Sequence, residues 1–232
     1  MDKINKFGDN IAFLMPEIII TKDGSHSIYV PELDEHFHSV NGAVTESMHV
    51  FINAGFKQLE KNDIRVLELG FGTGLNALLT LIEASNSGKS IQYTGIEKYP
   101  LEQEVTGSLN FESVTNSPST GFLNLIHSSP WGEEMSINPH FILKKLEYDM
   151  QELNLVDEFD LVYFDAFSPE KQPELWTKRM FSRIYLSMRQ NAILTTYSSK
   201  GLVRRNMQAA GFRVEKIPGP LKKWEMTRAW NS

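Results

Sequence analysis

Apolar residues along this chain fall into short runs separated by helix-spaced stretches. Residues 64–69, 91–97, 141–146, 159–165, 192–197, 212–217 and 226–230 are rich in β-branched and aromatic side chains and read as strands. Residues 75–84 are apolar and follow a glycine turn; in 176–188, Met180, Ile184, Tyr185 and Met188 recur at helical spacing. Residues 201–210 read as a short helix. This alternation predicts an α/β fold, a mostly parallel sheet with helices on both faces. The last two strands are joined by a short link containing Pro218-Gly219-Pro220, which predicts an antiparallel pairing at the sheet edge. The first 60 residues break the pattern: 17–21 and 27–30 bracket Lys22-Asp23-Gly24, a hairpin signal, and 45–60 reads as a helix. The expected organisation is an N-terminal extension over 1–60, packed on and covering the site of a core domain over 61–232. Residues 116–140, rich in Ser, Pro, Asn and Gly, read as a long irregular connection at the substrate mouth.

Candidate chemistry gathers at the carboxyl ends of the strands. Val66-Leu67-Glu68-Leu69 runs into Gly70-Phe71-Gly72-Thr73-Gly74-Leu75-Asn76. Glycine at every second position lets backbone approach a ligand closely, as at the head of a nucleotide-binding sheet. The spacing differs from the dinucleotide fingerprint, and no Gly-Lys-Ser/Thr follows to cradle a phosphate. S-adenosylmethionine, an adenosine cofactor without phosphate, fits this turn; other adenosine ligands are the alternative. Glu97, ending the next strand, is placed to accept from both ribose hydroxyls, and Asp149, after the third, from the adenine amine. Asp149 also reads as an ordinary helix cap. Asp165 emerges from the apolar run 161–164 at the edge where ligands bind, and a carboxylate leaving a buried strand needs a partner or a task. Phe167 and Pro169 then offer an apolar wall. His36 and His38 form a spaced pair without a third ligand, so no metal is expected.

Composition narrows the class. Of 232 residues, 41% are hydrophobic and 22% charged, an ordinary globular balance. There is no cysteine, hence no disulfide and no thiolate chemistry, and no apolar run suits a membrane span or a secretory leader. A cytoplasmic enzyme is expected. The net charge of −6 hides an asymmetry: residues 198–232 hold eight basic and two acidic residues, and the other 197 hold 15 basic and 27 acidic. A basic end on an acidic protein suits a polyanionic partner.

These motifs resemble the methyltransferase part of the bacterial enzyme that completes 5-methylaminomethyl-2-thiouridine at the tRNA wobble position. The resemblance covers residues 25–230. It rests on Glu68 through Asn76, on Phe164-Asp165-Ala166-Phe167-Ser168-Pro169 with Pro173-Glu174-Leu175-Trp176, and on Thr196-Tyr197-Ser198 and Val203-Arg204-Arg205. Ala210-Gly211-Phe212, Lys223, Glu225-Met226, and the N-terminal Asn41-Gly42, Thr45-Glu46-Ser47 and Val50-Phe51 add to it. Trp224 departs from it, standing where the family often has a basic residue.

The resemblance implies a class I, Rossmann-like methyltransferase sheet of seven strands with the last antiparallel. It implies methyl transfer from S-adenosylmethionine to the amine of 5-aminomethyl-2-thiouridine in the anticodon stem-loop of tRNA. Glu68, Gly70, Gly72, Gly74, Asn76, Glu97, Asp149 and Asp165 would hold the cofactor; Asp165, Glu46 and Tyr197 would surround the amine. Lys200, Arg204, Arg205, Lys222 and Lys223 would contact phosphates, and Trp224, Phe167 and Trp131 would stack on bases. The family often carries a flavin-dependent oxidoreductase domain; this chain looks like the stand-alone form, expected to need no flavin itself and to work beside a separate oxidoreductase or the upstream modification complex. The competing expectation is an aminopropyltransferase or another small-amine transferase on a similar sheet.

Overall fold

The computed structural model describes residues 17–115, 121–220 and 224–232. Three strands, β1 (Glu17–Ile20), β2 (His26–Val30) and β3 (Glu35–His36), form a small antiparallel sheet at the N-terminal end. The main sheet holds β4 (Asp63–Leu69), β5 (Ser90–Glu97), β6 (Glu134–Asn138), β7 (Phe141–Glu147), β8 (Phe159–Phe164), β9 (Met188–Thr196), β10 (Arg213–Pro218) and β11 (Glu225–Trp230). Their order is β10-β11-β9-β8-β4-β5-β7-β6. The five central strands are parallel, and β11 runs antiparallel to both of its neighbours.

One expectation changes here. The sheet has eight strands rather than seven, because β6 adds an antiparallel edge beside β7. The expected antiparallel pairing at the sheet edge is present: β10 is the edge strand and β11 inserts between it and β9, where Met226, Thr227 and Ala229 are fully buried. The connection over 116–140 is also more ordered than its composition suggests. It carries the helix Phe122–Ser128 as well as β6; residues 116–120 lie outside the described residues. Its described residues do not line the large cavity described below, so the expected substrate mouth is not built there.

All six residues of β8 are buried. Its alternate side chains enter two cores, Leu161 and Tyr163 on one face and Val162 and Phe164 on the other, as a strand covered on both sides requires. The helix Leu75–Ser87 starts at the glycine turn and packs on the first of these faces. The helix expected over 45–60 is a composite: α-helix Ala43–Ser47, a wider π segment Met48–Asn53 and a 3-10 turn Phe56–Gln58. Ala54 N–H reaches back five residues to His49 O, the bond that defines the wider turn.

The two ends of the sheet treat carboxylates differently. Asp160, near the amino end of β8, is buried and satisfied by Lys61, Arg189 and the Arg65 N–H at 2.8 Å, a structural bracket. The carboxyl end collects acids around a cavity.

Candidate active site

A cavity of about 1200 Å³ lies over the carboxyl ends of β4, β5 and β8, roofed by residues 32–40 and by the helix Ala43–Ser47. Gly70, Gly72, Asn76, Glu97, Asp149, Asp165, Glu46 and Tyr197 all line it. Its charged lining is acidic: Glu32, Glu35, Glu170 and Glu174 join Glu46, Glu97, Asp149 and Asp165, against Lys98 and Lys171.

The glycine turn is held against both neighbouring strands. Gly70 and Phe71 N–H donate to Ile96 O at 3.0 and 3.1 Å, and Asp165 N–H donates to Leu69 O at 2.9 Å. Gly70 has φ +92°, and a Cβ there would lie 2.5 Å from Asp165 O. Only glycine lets β4 and β8 deliver their ends so close together. Gly72 N–H donates to Glu97 Oε2 at 3.1 Å, and Tyr99 N–H to Glu97 Oε1 at 3.0 Å. Burial pushes the Glu97 carboxyl above its usual range, and N–H groups of Tyr99, Gly72 and Lys98 oppose that.

Glu68 is expected at the cofactor, but it is fully buried beneath the turn and does not line the cavity. Strand alternation turns it to the face of Val66, away from the mouth. It accepts from Tyr93 OH at 2.7 Å and from Asn76 Nδ2 at 2.8 Å. Burial raises its pKa well above the usual carboxylate range, although the bonds from Tyr93 and Asn76 pull the other way. Asn76 Nδ2 also donates to Asp165 Oδ2 at 2.9 Å. Glu68 therefore acts on the site through Asn76. Gly74 likewise stays out of the lining: it starts the helix in the left-handed conformation, against His127.

Asp149 caps the turn Met150–Glu152 by accepting from Gln151 N–H at 2.9 Å, and it pairs with Lys98 at 2.9 Å. Despite its burial, these bonds hold its pKa below the usual value. Glu46 Oε2 accepts from Ser39 N–H at 3.1 Å. Tyr197 OH donates to Ala166 O at 2.9 Å. Burial, and then the charges of Asp165, Glu35 and Glu46, push its phenol well above the usual range, so it remains a donor at neutral pH rather than a base.

Which side chains of the N-terminal extension roof the site was not legible. Phe37 meets Phe167 edge-on at 5.1 Å and sits over Gly72; Glu35 Oε2 accepts from Ser168 Oγ at 2.8 Å; His38 Nε2 lies 2.6 Å from Thr73 Oγ1. Burial pulls the His38 pKa down to about 4, so its ring is neutral here. Among the described residues no cluster suits a metal ion.

The expected nucleic-acid residues divide. Lys200 pairs with Glu170 at the cavity rim. Arg204 is largely buried, donating to Ser199 O and lying 3.7 Å from Glu225, whereas Arg205 is exposed. Trp224 is 94% exposed. Lys222 and Lys223 lie outside the described residues. Trp131 is half-buried: it meets Phe71 in a T-shaped contact at 6.1 Å, with Lys145 Nζ 4.8 Å from its ring. No helix among the described residues is long and apolar enough to cross a membrane.

The residues present fit S-adenosylmethionine. Asn76 Oδ1 is buried, on a side chain lining the cavity, and is without a hydrogen-bond partner among the described residues; a buried acceptor of this kind calls for a donor, such as the amino group of a bound amino-acid moiety. Glycine backbone and the Glu97 carboxylate stand beside it.

Known proteins agree. A family model described as S-adenosyl-L-methionine-dependent methyltransferase matches residues 133–232. The tRNA 5-methylaminomethyl-2-thiouridine biosynthesis bifunctional protein MnmC of Pseudomonas entomophila is 29% identical over 217 residues, covering 84% of this chain and 32% of its own length. Its counterpart from a Marinomonas species is 31% identical over 219 residues, covering 84% and 31%. The chain thus spans about a third of these curated relatives. The crystal structure of MNMC2 from Aquifex aeolicus superposes with a TM-score of 0.73 at 28% identity, covering 95% of this chain and 72% of that one. Spermidine synthase from Thermotoga maritima, at TM-score 0.56 and 13% identity over 94% of this chain and 72% of that one, shares the fold. The glycine turn, the parallel sheet that carries it and these relatives converge: the chain is similar to MnmC proteins, and its residues 133–232 match an S-adenosyl-L-methionine-dependent methyltransferase model.

Proposed function

We propose that the chain methylates the primary amine of 5-aminomethyl-2-thiouridine, or its 2-oxo form, at the tRNA wobble position, giving the 5-methylaminomethyl nucleoside. The observation that carries this reading is the acid-lined cavity with Asp165 at the glycine turn, in a chain whose relatives are named for that nucleoside's biosynthesis. When bound, S-adenosylmethionine supplies an electrophilic sulfonium methyl.

The protein's task is then to position a neutral amine. An alkyl amine has a pKa of about 10.4 and arrives mostly as ammonium, so an acidic cavity favours its entry. Asp165, fixed through Asn76, holds and orients it. A carboxylate also favours the ammonium, so Asp165 serves as positioner rather than base; Glu46, in the same lining, also stands around the amine. Tyr197 keeps its own proton on Ala166 O and fixes the loop after Asp165. Phe167 and Phe37 offer aromatic walls for a base turned out of its stack. Arg205, Lys222, Lys223 and the exposed Trp224 form the basic end that meets the anticodon stem-loop. A separate flavin-dependent oxidoreductase or the upstream modification complex supplies the aminomethyl substrate, in the cytoplasm.

The rival reading, transfer involving a small polyamine, draws on the same acidic lining. Both are tested by incubating the protein with labelled S-adenosylmethionine and tRNA from cells lacking this activity, then identifying the nucleoside by mass spectrometry. Label on 5-aminomethyl-2-thiouridine supports the proposal. Label only on added polyamines, with tRNA unlabelled, rejects it.

A further inference from the structure

Behind the glycine turn lies a second, smaller cavity of about 170 Å³, which shares Phe71 and Gly72 with the first. Its one charged side chain is Lys145, and no carboxylate lines it. Lys145 is 1% exposed. One of its three Nζ donors goes to His127 O at 2.7 Å, and the face of Trp131 lies 4.8 Å from the charge. Among the described residues it makes no ion pair within 4.0 Å. Burial pulls its pKa down to about 8, so at neutral pH it is mostly charged.

Buried charges are ordinarily paired. Here the missing partner has room: the volume equals that of about six waters at ~30 Å³ each. Thr106 and His127 add polar groups to the lining, and Gln103, exposed at the surface, marks the mouth. Glu102 and Glu104 flank Gln103 but stay outside the lining. His127 cannot supply a charge of its own. Burial lowers its pKa to about 4, and its Nε2–H is committed to Thr73 O at 3.0 Å.

We propose that this cavity is a binding site for a small inorganic anion of the halide or phosphate class, held by Lys145. The anion would be separated from the cofactor cavity by the turn itself, and linked to it by the relay Lys145 to His127 O and His127 Nε2 to Thr73 O. The inference does not depend on the nature of the methyl acceptor.

The test is thermal unfolding of the full chain and of Lys145→Met during titration with sodium phosphate at pH 7. The parent is expected to gain about 3–6 °C at ten times the dissociation constant, in a saturable manner. The variant, which keeps the stem and loses the charge, should lose that gain. Equal gains in both, or none in either, overturn the proposal. Should the variant fail to fold, crystals of the parent soaked in sodium bromide decide: an anomalous peak against Lys145 Nζ is expected, and peaks confined to the outer surface refute it.

Discussion

The two cavities on either side of the glycine turn share Phe71 and Gly72 yet are opposite in charge. The larger is lined by eight carboxylates, the smaller by one buried lysine. Their origins differ as well. Glu97 and Asp165 stand at the carboxyl ends of β5 and β8, where the sheet stops and side chains reach a ligand. Lys145 lies within β7 and is turned into the gap beside Trp131 and the helix Phe122–Ser128. A single loop can thus separate an environment suited to a cationic amine from one suited to an anion, because side-chain direction along a strand, not overall charge, decides what each side sees.

The largest break in this arrangement should come from Gly70→Ala. Its Cβ would meet Asp165 O at 2.5 Å on a φ of +92°, so β4 and β8 must part. Cofactor affinity measured by calorimetry should fall at least about 100-fold, with about 3 kcal/mol lost in urea unfolding. Near-parental affinity would show that the close approach is dispensable.

Asp165→Asn keeps the shape of the acidic side and removes its central charge. Turnover should drop about 100-fold or more, while affinity for the cofactor product changes only a few-fold. Equal losses in both would move Asp165 from the amine to the cofactor.

Glu68→Gln tests whether the buried carboxyl acts only as a neutral support. Its folded pKa is raised above the unfolded value near 4.5. The unfolded chain therefore releases this proton first as pH rises, and parental stability falls from about pH 4.5 upward until the folded pKa is reached. The variant lacks that slope. Relative to it, the parent should lose up to about 1.4 kcal/mol per pH unit in that window, read from urea midpoints at pH 5 and 7. Parallel pH profiles would show that the carboxyl is ionised in the folded protein.

The smallest effect belongs to the basic end. Arg205→Ala should weaken tRNA binding modestly and reduce its salt slope by about 1. Arg204→Ala should instead lower stability, because its guanidinium is packed against Ser199 O and Glu225. The reverse outcome would exchange their roles.

Much of the sheet was readable along the chain. Strands 64–69, 91–97 and 159–165 fall within a residue of β4, β5 and β8, because β8 carries a continuous apolar run buried on both faces and β4 and β5 hold β-branched and aromatic residues at their buried positions. β6 escaped notice: Glu-Met-Ser-Ile-Asn has one buried residue and owes its strand state to pairing with β7. The π segment escaped for a similar reason, since helical spacing does not distinguish a four-residue from a five-residue bond.

The same division runs through the site. By itself the sequence determined the glycine turn and the acids that end β5 and β8, because close backbone approach demands glycine and the strand pattern states where each strand stops. Only tertiary structure decided that Glu68 lies beneath the turn, that Arg204 and Arg205 have different surroundings, which residues of the N-terminal extension roof the cavity, and that Lys145 is enclosed without a carboxylate. Each of these depends on contacts between residues distant in the chain, such as Phe37 with Phe167 and Lys145 with Trp131. Burial and charge pairing are properties of such contacts, which no local pattern encodes.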